Sequence, residues 1–288
     1  MLPLLALMAA AACQTHPAPP AANAPLPAAE TQPTPGQQWL FGSAEARVAM
    51  VQDWAEIVRH VEAAAAARPN ASVVLAPGAT GNAPDFLPCG DKPLAAVFDA
   101  DETLIWNLGS MAAFTRMGKE FDPAIWTEWE RTGVGKAVAI PGAAESLARI
   151  RAAGVEVIVN TNRSAGTAEG NAATLAAAGL GNFVHGSTLF LRGDAPDGSG
   201  KDGRRAMISQ SYCVIALVGD QLGDISDVFN AKTLTPPQRK ALTASPAFDS
   251  MWGNGWFVLP NPVYGPSIAG TMDEVFPPET YWEPSAEQ

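Results

Sequence analysis

The sequence is short of charge, histidine and cysteine, and each shortage removes a class of function. Only 16% of its 288 residues are Asp, Glu, Lys or Arg, and the acidic ones prevail, leaving a net charge of -11. Affinity for a phosphate backbone comes from Lys and Arg, so a nucleic-acid polymer is not an expected partner. A small phosphorylated substrate stays open, provided that the site supplies its own positive charge from a few side chains or a metal ion. The three histidines, His16, His60 and His185, are scattered without metal-ligand spacing. No Arg-His-Gly segment exists, which disfavours a histidine-type phosphatase. The three cysteines, Cys13, Cys89 and Cys213, form no CxxC pair, so neither a zinc ribbon nor a thioredoxin-like motif is indicated. Whether Cys89 and Cys213 pair is open at this level.

Long apolar runs are also missing. Met1 to Ala12 is apolar but far too short to span a bilayer. It reads as a signal peptide over residues 1–12, and Ala10-Ala11-Ala12-Cys13 resembles a bacterial lipoprotein cleavage site with lipidation at Cys13. The alternative is an ordinary secretory signal. On either reading the protein is exported, at the periplasmic face or as an outer-membrane lipoprotein held by a lipid anchor. Residues 13–40 follow as a Pro/Ala-rich tether with seven prolines between Pro17 and Pro35. That composition cannot bury enough surface to order itself.

What is present is 47% hydrophobic sequence, enough for one sizeable core. Ser43 predicts the N-cap of a helix that Arg68-Pro69-Asn70 stops. Val48, Val51, Ala55, Val58 and Glu62 follow helical spacing, with Trp54 and Val61 widening the stripe. From Leu94 onward short apolar runs alternate with helical segments. Strands are predicted at 94–99, 155–160, 188–191, 213–218 and 256–259, and helices at 145–153, 167–178 and 202–212. Continuous rather than alternating apolar strands imply a parallel sheet covered on both faces, an α/β fold. Residues 106–139, with Phe114, Phe121, Trp126 and Trp129, interrupt the alternation as a helical insert. With the 43–68 helix it is expected to form a small lobe of the 41–288 domain.

In such a sheet, ligands bind beyond the carboxyl ends of the strands. There lie Asp99-Ala100-Asp101-Glu102-Thr103, Thr161-Asn162-Arg163, and Gly219-Asp220 with Asp224, and Lys201 sits between the last two. Clustered carboxylates repel one another unless a cation neutralises them, and an all-oxygen set suits Mg²⁺. One carboxylate can attack phosphorus, while a second, two residues on, handles the proton. A hydroxyl and an ammonium can hold the phosphoryl oxygens.

Asp99-x-Asp101-x-Thr103, Thr161, Lys201 and Gly219-Asp220-x-x-x-Asp224 resemble the four motifs of the haloacid dehalogenase superfamily. Phe98 to Thr103, Phe121-Asp122-x-x-x-Trp126-x-x-Trp129, Ala139 to Ala143, Thr161-Asn162-Arg163 and Leu259-Pro260-Asn261-Pro262-Val263-Tyr264-Gly265 are similar to the class C acid phosphatases, the lipoprotein 5′-nucleotidase group. The resemblance implies a haloacid dehalogenase-like, doubly wound parallel sheet. It implies Asp99 as nucleophile and Mg²⁺ ligand, and Asp101 as general acid/base with its carbonyl on the metal. Asp220 would be the third ligand and Asp224 a support for the metal-bound waters. Thr161, Asn162 and Lys201 would bind phosphate. Tyr264, with Trp126 or Trp129, would line the substrate pocket, although packing is the alternative for both tryptophans. Arg163 either backs the site or is exposed, and Asp227 is read as structural, capping a helix. The sequence departs from the family pattern at Pro266-Ser267, at Ala100 and in the Gly-rich stretch 193–200, which bears on the substrate pocket. The expected activity is Mg²⁺-dependent hydrolysis of phosphomonoesters, nucleoside 5′-monophosphates among them. The competing readings are phosphoryl transfer to an alcohol and a surface lipoprotein without catalysis. A homodimer is left open.

Overall fold

The computed structural model describes residues 32–285 except residue 82. The signal segment, Cys13 and most of the tether lie outside the described residues. The tether's last residues are ordered. Thr34 and Gln37 form a reciprocal capping box around a single turn, α1 (Pro35–Gln37), with Pro35 pre-setting the helical φ. Leu40 then inserts fully into the core. The tether reading therefore extends too far at its C-terminal end, because composition masked a local helix-start signal.

Helix α2 (Ala44–Ala67) begins as expected, with the Ser43 hydroxyl accepting from the Ala46 amide at 3.0 Å. Its buried face differs from the predicted stripe. Ala46, Met50, Trp54, Ile57, Val58 and Val61 point inward, whereas Val48 and Val51 are exposed. The larger side chains, Trp54 above all, decide which face is worth burying. Trp54 stacks on Phe98 at the end of the central strand, with ring centroids 5.6 Å apart. Thus α2 covers the sheet and does not belong with the helical lobe over it.

A hairpin-like antiparallel pair follows, β1 (Ala71–Leu75) and β2 (Phe86–Pro88). Next come the central strand β3 (Leu94–Phe98), β4 (Ile105–Trp106), α3 (Leu108–Met117), α4 (Pro123–Thr132), β5 (Val138–Ala139) and α5 (Ala143–Ala152). Then come β6 (Glu156–Ser164), α6 (Ala168–Ala177), β7 (Leu189–Arg192), α7 (Asp202–Ser211), β8 (Cys213–Gly219), α8 (Pro236–Thr243) and β9 (Trp256–Val258). Five strands form one parallel sheet in the order β7-β6-β3-β8-β9. Along β3, Leu94, Ala96 and Phe98 pack into the layer with α2 and α5. Ala95 and Val97 pack on the other face, with Ile208 of α7, Phe229, Phe248 and Trp256. Both faces are covered, as continuous apolar strands require. β4 and β5 pair antiparallel at the base of the α3–α4 insert.

Cys89 and Cys213 are joined by a disulfide across 124 residues of chain. It staples the end of the β1–β2 pair to the start of β8. Closing a loop of that length contributes about 2–5 kcal/mol. Among the described residues no helix is long and apolar enough to cross a membrane.

Candidate active site

The site forms where β3, β6 and β8 end. Asp99 follows β3 directly, and its amide donates to the Val218 carbonyl of the neighbouring strand at 2.8 Å. Asp220 follows β8 in the same way, so adjacent parallel strands deliver both carboxylates to one edge. Ligand oxygens of Asp99, Asp220 and Asp224 all lie within 4.8 Å of one another. Asp224 is placed by a tight turn in which its carboxylate accepts from the Gln221 amide at 2.9 Å. Gly219 makes room for it, since a Cβ there would sit 2.1 Å from that of Asp224. Lys201, just ahead of α7, reaches in from the other side. Its ammonium is 2.5 Å from Asp99 Oδ1 and 2.6 Å from Asp224 Oδ1.

These groups are almost wholly buried, and their electrostatics follow from that. Burial pushes the Asp99 carboxyl up to about 7; Lys201 opposes the rise, while Asp224 and Asp101 add to it. Burial, then Asp224 and Asp99, raise Asp220 well above the usual carboxylate range, against a 2.7 Å hydrogen bond from Asn261. For Lys201, burial works against the charge, but Asp224 and Asp99 outweigh it and hold the ammonium above the ordinary lysine range. One ammonium, paired with two of three clustered carboxylates, leaves the buried site short of positive charge once they ionise. Hard oxygen donors at this spacing fit a divalent cation, which supplies the missing charge. Asp99, Asp220 and Asp224 are the side chains that would hold it.

Asp101 stands beside this trio and is not one of it. Its Oδ1 accepts from Arg163 Nε at 2.8 Å and from Asn107 Nδ2 at 2.8 Å. Arg163 is therefore buried behind the site, not exposed. Its guanidinium also donates to Asn107 Oδ1 and Asn171 Oδ1, and lies 5.6 Å from the Trp126 ring centre. Thr161 is fully buried beside Asp99's strand and accepts from the Arg163 amide at 3.2 Å. The Asn162 side chain is not brought to the cluster. It is exposed, bonded to the Ser199 carbonyl and to Arg204, and serves to tie two loops together. Asp227 accepts from the Lys201 and Asp202 amides at the start of α7 and so holds the lysine's backbone in place.

Tyr264 lies against the catalytic loop, where its hydroxyl donates to the Glu102 carboxylate. Burial, then Glu102 and Asp220, keep the phenol well above its usual range, so it stays a donor. Glu102 has φ +53°, a left-handed backbone rare for a side chain of this size. Its carboxylate, pushed up to about 7 by burial and Asp101, is held by Asn107 and Tyr264. Trp126 donates to Glu130, and Trp129 to Asn107 Oδ1. Sequence reading gave no role to Asn107, Glu130, Arg204 or Asn261. Single polar residues carry no spacing signal of their own, and key partners are far off in the chain, as with Asn107 and Arg163 or Asn261 and Asp220.

The family described as HAD superfamily, subfamily IIIB (Acid phosphatase) matches residues 37–267. Among solved structures, the class C acid phosphatase from Bacillus anthracis is similar over 81% of this chain and 84% of its own, with a TM-score of 0.62 and 22% identity. A second structure, of the class C acid phosphatase from Bacillus anthracis with tungstate bound, covers the same shares, with a TM-score of 0.63 and 21% identity. At these identities the likeness establishes the fold.

Proposed function

Because this chain belongs to the acid phosphatases of HAD subfamily IIIB, a family of phosphomonoester hydrolases, we propose that it works through a phosphoryl-aspartate on Asp99, with Mg²⁺ as its cation. The observation that carries this is the Lys201 ammonium 2.5 Å from Asp99, facing carboxylates that want a cation. When bound, Mg²⁺ shields the phosphate's charge from the attacking carboxylate.

The remaining steps belong to the chain. Thr161 and Lys201 hold phosphoryl oxygens as charge develops on them. An Asp99 oxygen forms a bond to phosphorus while the bond from phosphorus to the ester oxygen breaks. Asp101 gives its proton to that oxygen, and the alcohol leaves. Water then attacks phosphorus and passes a proton back to Asp101. The phosphorus bond to Asp99 breaks, and free phosphate leaves.

The substrate class includes nucleoside 5′-monophosphates on this reading, with the Tyr264 ring as a wall for the base. Its fixed hydroxyl supports this, since a tethered aromatic face loses little entropy on stacking. Tyr264→Ala is expected to raise KM for AMP roughly tenfold and KM for glycerol phosphate by less than threefold, about 1 kcal/mol of stacking. Equal effects across a panel of phosphomonoesters would remove the stacking role. The site of action is outside the cytoplasm, anchored through Cys13. The N-terminal pattern supports this, and so does the disulfide, which suits an oxidising compartment. Mass spectrometry of the mature protein should find residues 1–12 removed and a lipid on Cys13. An unmodified Cys13 would overturn the anchor.

A further inference from the structure

Asp101 must present its proton to the leaving oxygen, and the structure shows how one of its two oxygens is chosen. Two N–H groups donate to Oδ1, Asn107 Nδ2 and Arg163 Nε, both at 2.8 Å, and the charged Arg163 Nη2 lies 2.7 Å from it. Oδ1 is thereby engaged and fixed in direction. Among the described residues no donor reaches Oδ2, which leaves it as the oxygen free to meet the leaving group.

The Asn107 amide is itself locked. Its Oδ1 accepts from Arg163 Nη2 at 2.7 Å and from Trp129 Nε1 at 3.0 Å. Its Nδ2 faces Asp101 and Glu102. Turned over, the amide would set oxygen against two carboxylates and N–H against two donors. Trp129 cannot drift, since its ring packs so closely on Gly109 and Gly133 that a Cβ on either would fall within 2.7 Å of it. Trp126, one turn before on the same helix, lies over the Arg163 guanidinium and is fixed by Glu130 at 2.8 Å. Residues three apart share a helix face. One face of α4 thus holds both supports of Asp101.

We propose that α4 is the clamp for the general acid, with Asn107 and Trp129 as positioning residues that keep Oδ2 turned to the leaving group. This assigns the two tryptophans to proton delivery; it rests on Asp101 being the acid. Arg163 completes the device by neutralising the anion left after the proton has gone.

Leaving-group dependence separates this role from a merely structural one. p-Nitrophenolate departs readily without protonation, whereas the alkoxide of glycerol phosphate needs a proton. Asp101→Asn serves as the reference, and should depress kcat/KM, which reports the step that releases the alcohol, at least 100-fold more on glycerol phosphate than on p-nitrophenyl phosphate. Trp129→Phe keeps most of the packing and deletes the N–H. It should lower kcat/KM on glycerol phosphate about tenfold more than on p-nitrophenyl phosphate. Asn107→Ala, which retains the backbone bond to Glu102, should act in the same direction and serves if Trp129→Phe fails to fold. Discrimination by Asp101→Asn but equal losses on both substrates for the Trp129 and Asn107 variants would overturn the clamp and leave the acid assignment standing. No discrimination by Asp101→Asn would overturn both.

Discussion

Asp99→Asn is expected to fold, to retain weak Mg²⁺ binding and to lose phosphatase activity by at least about 10⁴-fold, as removal of a nucleophile does. The change is nearly isosteric and deletes one charge. Asp99 is buried, and the carboxylate faces Lys201 and Asp224. The neutral amide removes repulsion with Asp224 and Asp101, which offsets part of the lost ion pair with Lys201. Stability should therefore change far less than activity. Steady-state kinetics beside a thermal melt checks both. Turnover near that of the unaltered protein would sink the nucleophile assignment.

The second large effect concerns the cation. Chelation with EDTA should abolish activity and Mg²⁺ should restore it; indifference to chelation would count against the metal reading. The charges of the site add a pH signature. Asp99 and Glu102 are pushed up to about 7 in the folded protein, from 3.8 and 4.5 in an unperturbed chain. Between about pH 4 and 7 the folded, metal-free protein then holds more protons than the unfolded one. Its stability must fall as pH rises through that window. A cation binds the ionised carboxylates, so the rise in Tm on adding Mg²⁺ should be larger at pH 8 than at pH 5. Melts in EDTA and in Mg²⁺ at the two pH values decide it. A metal-free Tm that rises from pH 5 to pH 8, or an equal Mg²⁺ shift at both, would contradict this electrostatic picture.

The strands and the charged residues at their ends were legible in sequence because both signals are local. Leu94 to Phe98 is a continuous apolar run, and the carboxylates come directly after it. The lining of α2 was less legible. Val48 and Val51 satisfy helical spacing as well as Met50 and Trp54 do, and only the shape of the sheet beneath, with Phe98 under Trp54, selects the face. The hairpin-like pair β1–β2 was missed because its strands are short and a Pro- and Gly-bearing connection, residues 76–85, separates them. Asn107 shows where sequence runs out at the site. It sits six residues past Asp101 with no motif of its own, and acquires its role from Arg163 and Trp129, 56 and 22 residues away. The Asn162 side chain shows the converse. The resemblance implied phosphate for it together with Thr161, yet strand alternation turns it to the opposite side, toward Ser199 and Arg204.

Chemical trapping tests the central claim most directly. The protein would be mixed with substrate and Mg²⁺, quenched in borohydride to reduce any acyl phosphate to the alcohol, digested and sequenced by mass spectrometry. The account predicts homoserine at position 99 and nowhere else, dependent on both substrate and metal. Reduction at another carboxylate, or none at position 99 during active turnover, would contradict it.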